Sequence, residues 1–151
     1  MWILVAVLAV LSCGGAREEA PAPVVDLAVR SHSEVDVRWE REWEVAFDRA
    51  RSENKPVLVN FSAEWCVWCK HLETVTFADS KVGAMLAGRV VPLNIDVDAA
   101  SPELLRSQRI EAPPTIVVLD IDGQELGRIA GYMPPTGFLK TVEGILGTAQ
   151  G

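Results

Sequence analysis

The run at residues 57–61, VLVNF, constrains the fold more than any other stretch of the chain. It is short, β-branched and largely apolar, so a strand built from it suits the centre of a sheet buried on both faces. The flanking segments supply the cover. Before it, EREWEVAFDRARSEN carries Trp43, Ala46, Phe47 and Ala50 at helical spacing and stops at Asn54-Lys55-Pro56. After it, a helix is predicted to start near Cys66 and run through Leu72 and Val75. RVVPLNIDV reads as a further strand, and SPELLRSQ as a helix opened by Ser101 with Pro102 in its first turn. TIVVLD and QELGRIAG flank Asp122-Gly123, a two-residue hairpin pattern. PPTGFLKTVEGIL closes the chain as a helix with Phe138, Val142, Ile145 and Leu146 inward. VDVRW, residues 35–39, alternates apolar and polar residues as a strand with one wet face does. The order β-α-β-α-β-α-β-β-α predicts an α/β fold, a three-layer sandwich whose mixed sheet of about five strands has helices on both faces.

At 151 residues the chain is sized for one domain, expected over residues 34–149. Its formal charge is −7, with 14 Lys and Arg scattered among 21 acidic residues. A nucleic-acid partner needs clustered basic residues, so that class is excluded, and the acidity reads as solubility of a monomer.

The three cysteines are Cys13, Cys66 and Cys69, an odd number that leaves one to explain. Residues 2–11 form an unbroken apolar run followed by Ser12, Cys13 and two glycines. The run is too short to cross a bilayer, which takes roughly 20 residues. It fits the apolar core of a secretory signal peptide over residues 1–12 with lipidation, or a signal peptide or short anchor without it; a mis-assigned start or a buried segment is the remaining alternative. The VLSC ending resembles the lipobox of bacterial lipoproteins, which implies a lipidated Cys13 and an extracytoplasmic, membrane-anchored protein on the periplasmic side. Val10 and Leu11 depart from that pattern, and the segment before the run lacks Lys or Arg. Residues 13–33, with Pro21, Pro23 and many small or charged residues, read as a flexible tether reaching about 65 Å at ~3.3 Å per residue. An edge strand from VVDLAV is the alternative there.

Cys66 and Cys69 then remain as a pair in FSAEWCVWCKHLE, at the join of a strand and a helix. At such a helix start the unpaired N–H groups and the helix dipole favour thiolate over thiol. A thiol normally near 8.5 falls to about 3.5–7.5 in these settings. Cys66 is therefore the expected nucleophile, and Cys69, three residues on along the same helical face, the resolving thiol. A structural disulfide closing so small a loop stabilises little. A metal site would want four ligands, and no second pair completes one. His71 lies about 140° round the helix from Cys66 and reads as a solvated residue.

VLVNFSAEWCVWCK resembles the active-site strand, loop and helix start of the thioredoxin superfamily, and APPT before IVVLD resembles its cis-proline loop. CVWCKHLETVTFAD, with Gly131-Tyr132, is most similar to the carboxy-terminal domain of DsbD-type disulfide reductases. The resemblance covers residues from about 35 to 146. It implies a dithiol–disulfide oxidoreductase acting on protein thiols and disulfides, re-reduced by a membrane electron donor, with no metal or organic cofactor beyond the Cys66–Cys69 pair. Trp65 matches the flanking aromatic, and Trp68 sits between the cysteines beside the substrate. Pro114, before Thr115, matches the cis-proline, and Pro113 the residue that pairs with substrate backbone.

Three positions depart from the family pattern. Asn60 stands where most members carry a buried aspartate, and an amide takes no proton. Glu73, one turn after Cys69 and matching an acidic residue of the DsbD-type domain, is the candidate replacement, in a partly buried setting that raises its pKa; a surface charge on an amphipathic helix is the alternative. Pro113 has no N–H for a bound peptide. Val67-Trp68 place no His between the cysteines, which favours a reducing or relaying role over oxidation or isomerisation. A redox-inert binding module of the same fold is the alternative from another class.

Overall fold

The computed structural model describes residues 36–148. The signal peptide, Cys13 and the tether expected over residues 1–33 lie outside the described residues, as do residues 34, 35 and 149 of the expected domain.

The described elements follow in the order α1 (Trp43–Glu53), β1 (Val57–Ser62), α2 (Val67–His71), a π-helical turn (Leu72–Thr76), α3 (Ser80–Arg89), β2 (Val91–Asp96), α4 (Pro102–Ser107), β3 (Thr115–Leu119), β4 (Glu125–Ala130) and α5 (Pro135–Thr148). The sheet order is β2-β1-β3-β4. β1 runs parallel to β2 and antiparallel to β3, and β3 is antiparallel to β4. Every residue of β1 is buried, including the polar Asn60 and Ser62 that share a face with Leu58.

Alternate residues of β1 feed two cores. Val57, Val59 and Phe61 pack with Val91, Leu93, Val117 and Leu119 against Ala46, Phe47 and Ala50 of α1, with Leu104 and Leu105 of α4 alongside. Leu58 packs on the opposite face with Ile116, Val118 and Leu72, under Val82 and Leu86 of α3 and Phe138, Val142 and Leu146 of α5. The helices thus cover both faces, and the sandwich has three layers.

The sheet has four strands among the described residues, where five are expected from the sequence. Residues 36–39 form no strand, and Glu40 alone makes a parallel bridge, to Leu93. The alternation is real: Val37 and Trp39 turn inward, and Trp39 meets Phe77 with ring centroids 5.0 Å apart. What is missing is a partner ladder. The outer edge of β2 offers Pro92 O to Glu40 N at 2.8 Å and Asn94 N to Glu40 O at 2.9 Å. Pro92 has no N–H to extend the pairing, so it stops after one residue.

α3 is the element absent from the sequence reading, which leaves residues 80–88 unassigned. Asp79 caps it, accepting from Lys81 N at 2.9 Å and Val82 N at 3.1 Å, and its buried face is Val82, Gly83, Met85 and Leu86. The hairpin forms, but around three residues, Ile121 to Gly123, rather than the expected two: Asp120 N donates to Gln124 O at 2.9 Å, and Gly123 sits at φ 85, a conformation that favours glycine. Asp120 is its organiser: its carboxylate accepts from Asp122 N at 2.9 Å and Gln124 N at 2.8 Å. Among the described residues no helix is long and apolar enough to cross a membrane.

Candidate active site

The carboxyl end of β1 delivers the chain into a short loop, Ala63 to Trp65, and then into α2. Cys66 is the residue before the first helical turn, with extended backbone (φ −81, ψ 104), and its Sγ accepts from Cys69 N at 3.1 Å. Its own N–H donates to Ala63 O at 3.2 Å, which folds the loop under the helix start. Cys66 and Cys69 are joined as a disulfide with Cα atoms 5.2 Å apart. Cys66 is 6% exposed and Cys69 1%, so attack from outside reaches Cys66 first. Both pack against Ala63 and Val97.

Aromatic side chains flank the pair. Trp65 is 64% exposed, and its indole Nε1 donates to the Asp98 carboxylate at 2.8 Å. Trp68, 59% exposed, lies over Tyr132 with centroids 5.6 Å apart and meets His71 edge-on at 5.9 Å. His71 and Tyr132 are 4.7 Å apart, so the imidazole expected to be merely solvated belongs to an aromatic cluster at the rim. Asp98 has no local pattern in the sequence that marks it. It reaches Trp65 only because β2 runs parallel beside β1.

The Pro113–Pro114 peptide bond is cis. Phe61 pairs with Thr115 across β1 and β3, which brings this loop to the end of the sheet that carries Cys66. Thr115 Oγ1 donates to Ala112 O at 2.7 Å, and Gly131 N donates to Pro114 O at 2.8 Å. Pro114 and Thr115 are buried, whereas Pro113 is half-exposed and available.

Asn60 is 1% exposed; its Nδ2 donates to Asn94 Oδ1 at 2.8 Å, and Ser62 Oγ donates to the same oxygen at 3.1 Å. Asn60 Oδ1 is buried without a hydrogen-bond partner among the described residues. Asn60 borders a cleft of about 310 Å³ with Trp39, Arg41, Glu73, Phe77 and Asn94. Glu73 does not occupy the partly buried setting expected of it: it is exposed on the rim. In the π-helical turn Leu72 and Thr76 take the inward positions, both 0% exposed, with Thr76 Oγ1 donating to Met133 O at 2.7 Å. That leaves Glu73 facing out over the cleft.

Against known proteins, the family model described as a thioredoxin-like domain matches residues 43–145. The thiol:disulfide interchange protein DsbD of Ralstonia nicotianae is 36% identical over 140 residues, 90% of this chain and 21% of that protein. DsbD of Yersinia enterocolitica is 38% identical over 101 residues, 64% of this chain and 17% of that protein. The chain thus spans about a fifth of the length of these relatives. Among solved structures, a thioredoxin from Thermus thermophilus has a TM-score of 0.66 at 30% identity, covering 72% of this chain and 86% of that one. The oxidised carboxy-terminal domain of Neisseria meningitidis DsbD has a TM-score of 0.58 at 27% identity, covering 70% and 97%. With the family model spanning most of the described fold and a closed Cys66–Cys69 pair at the strand-to-helix join, the chain belongs to the thioredoxin-like domain family.

Proposed function

We propose that this chain is a thiol–disulfide oxidoreductase that reduces, or relays electrons to, protein disulfides outside the cytoplasm. One observation carries the reading: Cys66 and Cys69 are bonded to each other, with the Cys66 sulfur held at the first turn of α2 by the Cys69 N–H. The same N–H that donates to the bonded sulfur stabilises a thiolate once the bond opens.

In the reduced enzyme the Cys66 thiolate attacks one sulfur of a substrate disulfide, forming a mixed disulfide and releasing one substrate thiolate. Cys69 loses its proton and attacks the Cys66 sulfur, which closes the Cys66–Cys69 bond and expels the second substrate thiolate. Two electrons pass to the substrate, and its two thiolates take up two protons. A dithiol partner, a membrane electron carrier in this reading, returns the pair to the reduced state by the reverse exchange. Asn60 cannot take the Cys69 proton, so Glu73, at the mouth of the cleft bordered by Asn60, is the acceptor.

Trp65 and Trp68 flank the incoming chain, and Pro113, Pro114 and Thr115 line its backbone. Pro113 offers a carbonyl and no N–H. Anchorage through lipidated Cys13, at the end of a tether, would hold the domain on the periplasmic side. The similarity to DsbD proteins supports the exchange chemistry and the membrane electron donor.

The test has two arms. Equilibration with glutathione should give a potential below about −200 mV, and a value near that of strong oxidants would reverse the proposed direction. A Cys69→Ser variant should accumulate covalent adducts with its partners in cells. Failure of the wild type to reduce insulin, together with no adducts, would leave a binding module. Labelling with a palmitate analogue that persists in Cys13→Ala would end the lipid anchor.

A further inference from the structure

We infer that Arg128, locked to Glu125 and Arg109, is a positioning device for the Pro113–Pro114 loop, fixing where that loop meets a bound protein disulfide; the inference rests on the activity proposed above.

After α4 the chain turns through Gln108 and Arg109, and Arg109 lies in the left-handed region at φ 52. That conformation is strained for a non-glycine residue and persists only where the surroundings hold it. Arg128, from β4, does the holding. Its Nη2 donates to Gln108 O at 3.1 Å and its Nη1 to Arg109 O at 3.3 Å. The same guanidinium is fixed from behind by Glu125, with Nε to Oε1 at 2.7 Å and Nη2 to Oε2 at 2.6 Å. The Arg109 side chain returns to Glu125 Oε2, which closes a ring of three charged groups.

The geometry uses what distinguishes arginine from lysine. A planar fork makes two parallel bonds to a carboxylate while its outer N–H groups reach two carbonyls, and a single ammonium does not span both. Those carbonyls follow the end of α4, where the helix leaves acceptors unsatisfied. The Glu125 carboxyl is held down to about 2, mainly by its hydrogen bond from Arg128 and also by Arg109, against some desolvation. The ring therefore stays charged throughout the neutral range.

The loop is pinned at its far end as well, by Thr115 Oγ1 on Ala112 O and Gly131 N on Pro114 O. Of residues 108–114, only Ile110, Glu111 and Pro113 have a carbonyl outside these bonds, and Glu111 is exposed. Because Pro113 has no N–H, the loop grips substrate backbone with one bond fewer than a residue with an amide provides. The placement of what remains then governs binding. None of the three charged residues lies at the cysteines, so the effect falls on substrate affinity and spares the chemistry.

The test is insulin reduction by the full chain with dithiothreitol as regenerating reductant, with kcat and KM separated. Arg128→Ala should raise KM about tenfold, the net worth of roughly one hydrogen bond, with kcat and the Cys66–Cys69 potential unchanged. Amides of residues 109–112 should exchange hydrogen faster. Arg128→Lys, which keeps the charge and loses the fork, should fall between the two. Glu125→Gln, which leaves the carbonyl contacts in place, should raise KM less than Arg128→Ala and serves should the latter fold poorly. A KM within twofold of wild type in both Arg128→Ala and Glu125→Gln, or a loss confined to kcat, would overturn the clamp while leaving the activity intact. A wild type with no turnover would overturn the activity and the clamp together.

Discussion

Replacing Asn60 by aspartate restores the residue type most relatives are expected to carry, and the structure says what that restoration costs. Asn60 is 1% exposed, and among the described residues its only side-chain hydrogen bond is the Nδ2 donation to Asn94 Oδ1 at 2.8 Å. A protonated aspartic acid can replace that donor with its O–H, so at low pH the variant should nearly match the wild type. An ionised one has no donor, faces the Asn94 oxygen, and places a charge where burial disfavours it. The carboxyl is therefore pushed up. Fully buried acids shift by up to 3–5 units, and because the cleft beside Asn60 admits water we expect about 2–3. At 1.36 kcal/mol per unit this is roughly 3–4 kcal/mol, a large share of a domain's 5–15. The sign follows from a folded-state pKa above the unfolded value of about 3.9: the penalty is absent below that pH, grows as pH rises to about 6–7, and is constant beyond. Urea denaturation of oxidised wild type and Asn60→Asp between pH 4 and pH 9 measures it. A stability difference that does not vary with pH would refute the reasoning, as would equal stability at pH 8. Either result would mean that the carboxylate is solvated through the cleft or compensated by Arg41.

Three further outcomes follow from the geometry. The Glu125 carboxyl, held at about 2 mainly by Arg128, contributes stability that is present above its unfolded value of 4.5 and lost as pH falls toward 2, so the gap between wild type and Glu125→Gln in thermal unfolding should close over that interval. Phe138→Ala, at a 0% exposed position between α5 and the sheet, should cost about 3–5 kcal/mol in urea denaturation and leave the activity of the folded fraction unchanged. Asp98→Ala removes the acceptor of the Trp65 indole, 2.8 Å away, and should lower Trp65 fluorescence anisotropy in a variant where the other tryptophans are replaced by Phe, while costing less than ~1 kcal/mol because the contact is exposed.

Local patterns carried much of this fold, and what they missed is non-local. The VLVNF run demanded a two-sided environment, and β1 has one; the cysteines and the double proline stand where strand ends were expected. α3 escaped because Gly83 and Gly88 weaken its helical pattern, although Asp79 was a legible cap. The alternation of residues 36–39 correctly placed Val37 and Trp39 inward, yet pairing depends on the neighbouring edge, 53 residues further on at Pro92 when counted from Trp39. Asp98 and Arg128 are invisible for the same reason: each acts on a segment that only the sheet order brings near. Glu73 was placed on the correct element but not at the correct depth, because a π-helical turn sets which residues of that segment face inward.

Pro92 also bears on how the molecule behaves in a crowd. A sheet edge with free donors and acceptors is a template on which a foreign strand can grow, and chains guard against it with prolines, charges and irregularities. On the β2 side a missing donor and the short Glu40 bridge leave an intruding strand little to hold. On the β4 side the register break at Val118/Leu119 does comparable duty. Under the function proposed above, in which the protein meets other chains with their disulfides exposed, these edges shield it from polymerising on them.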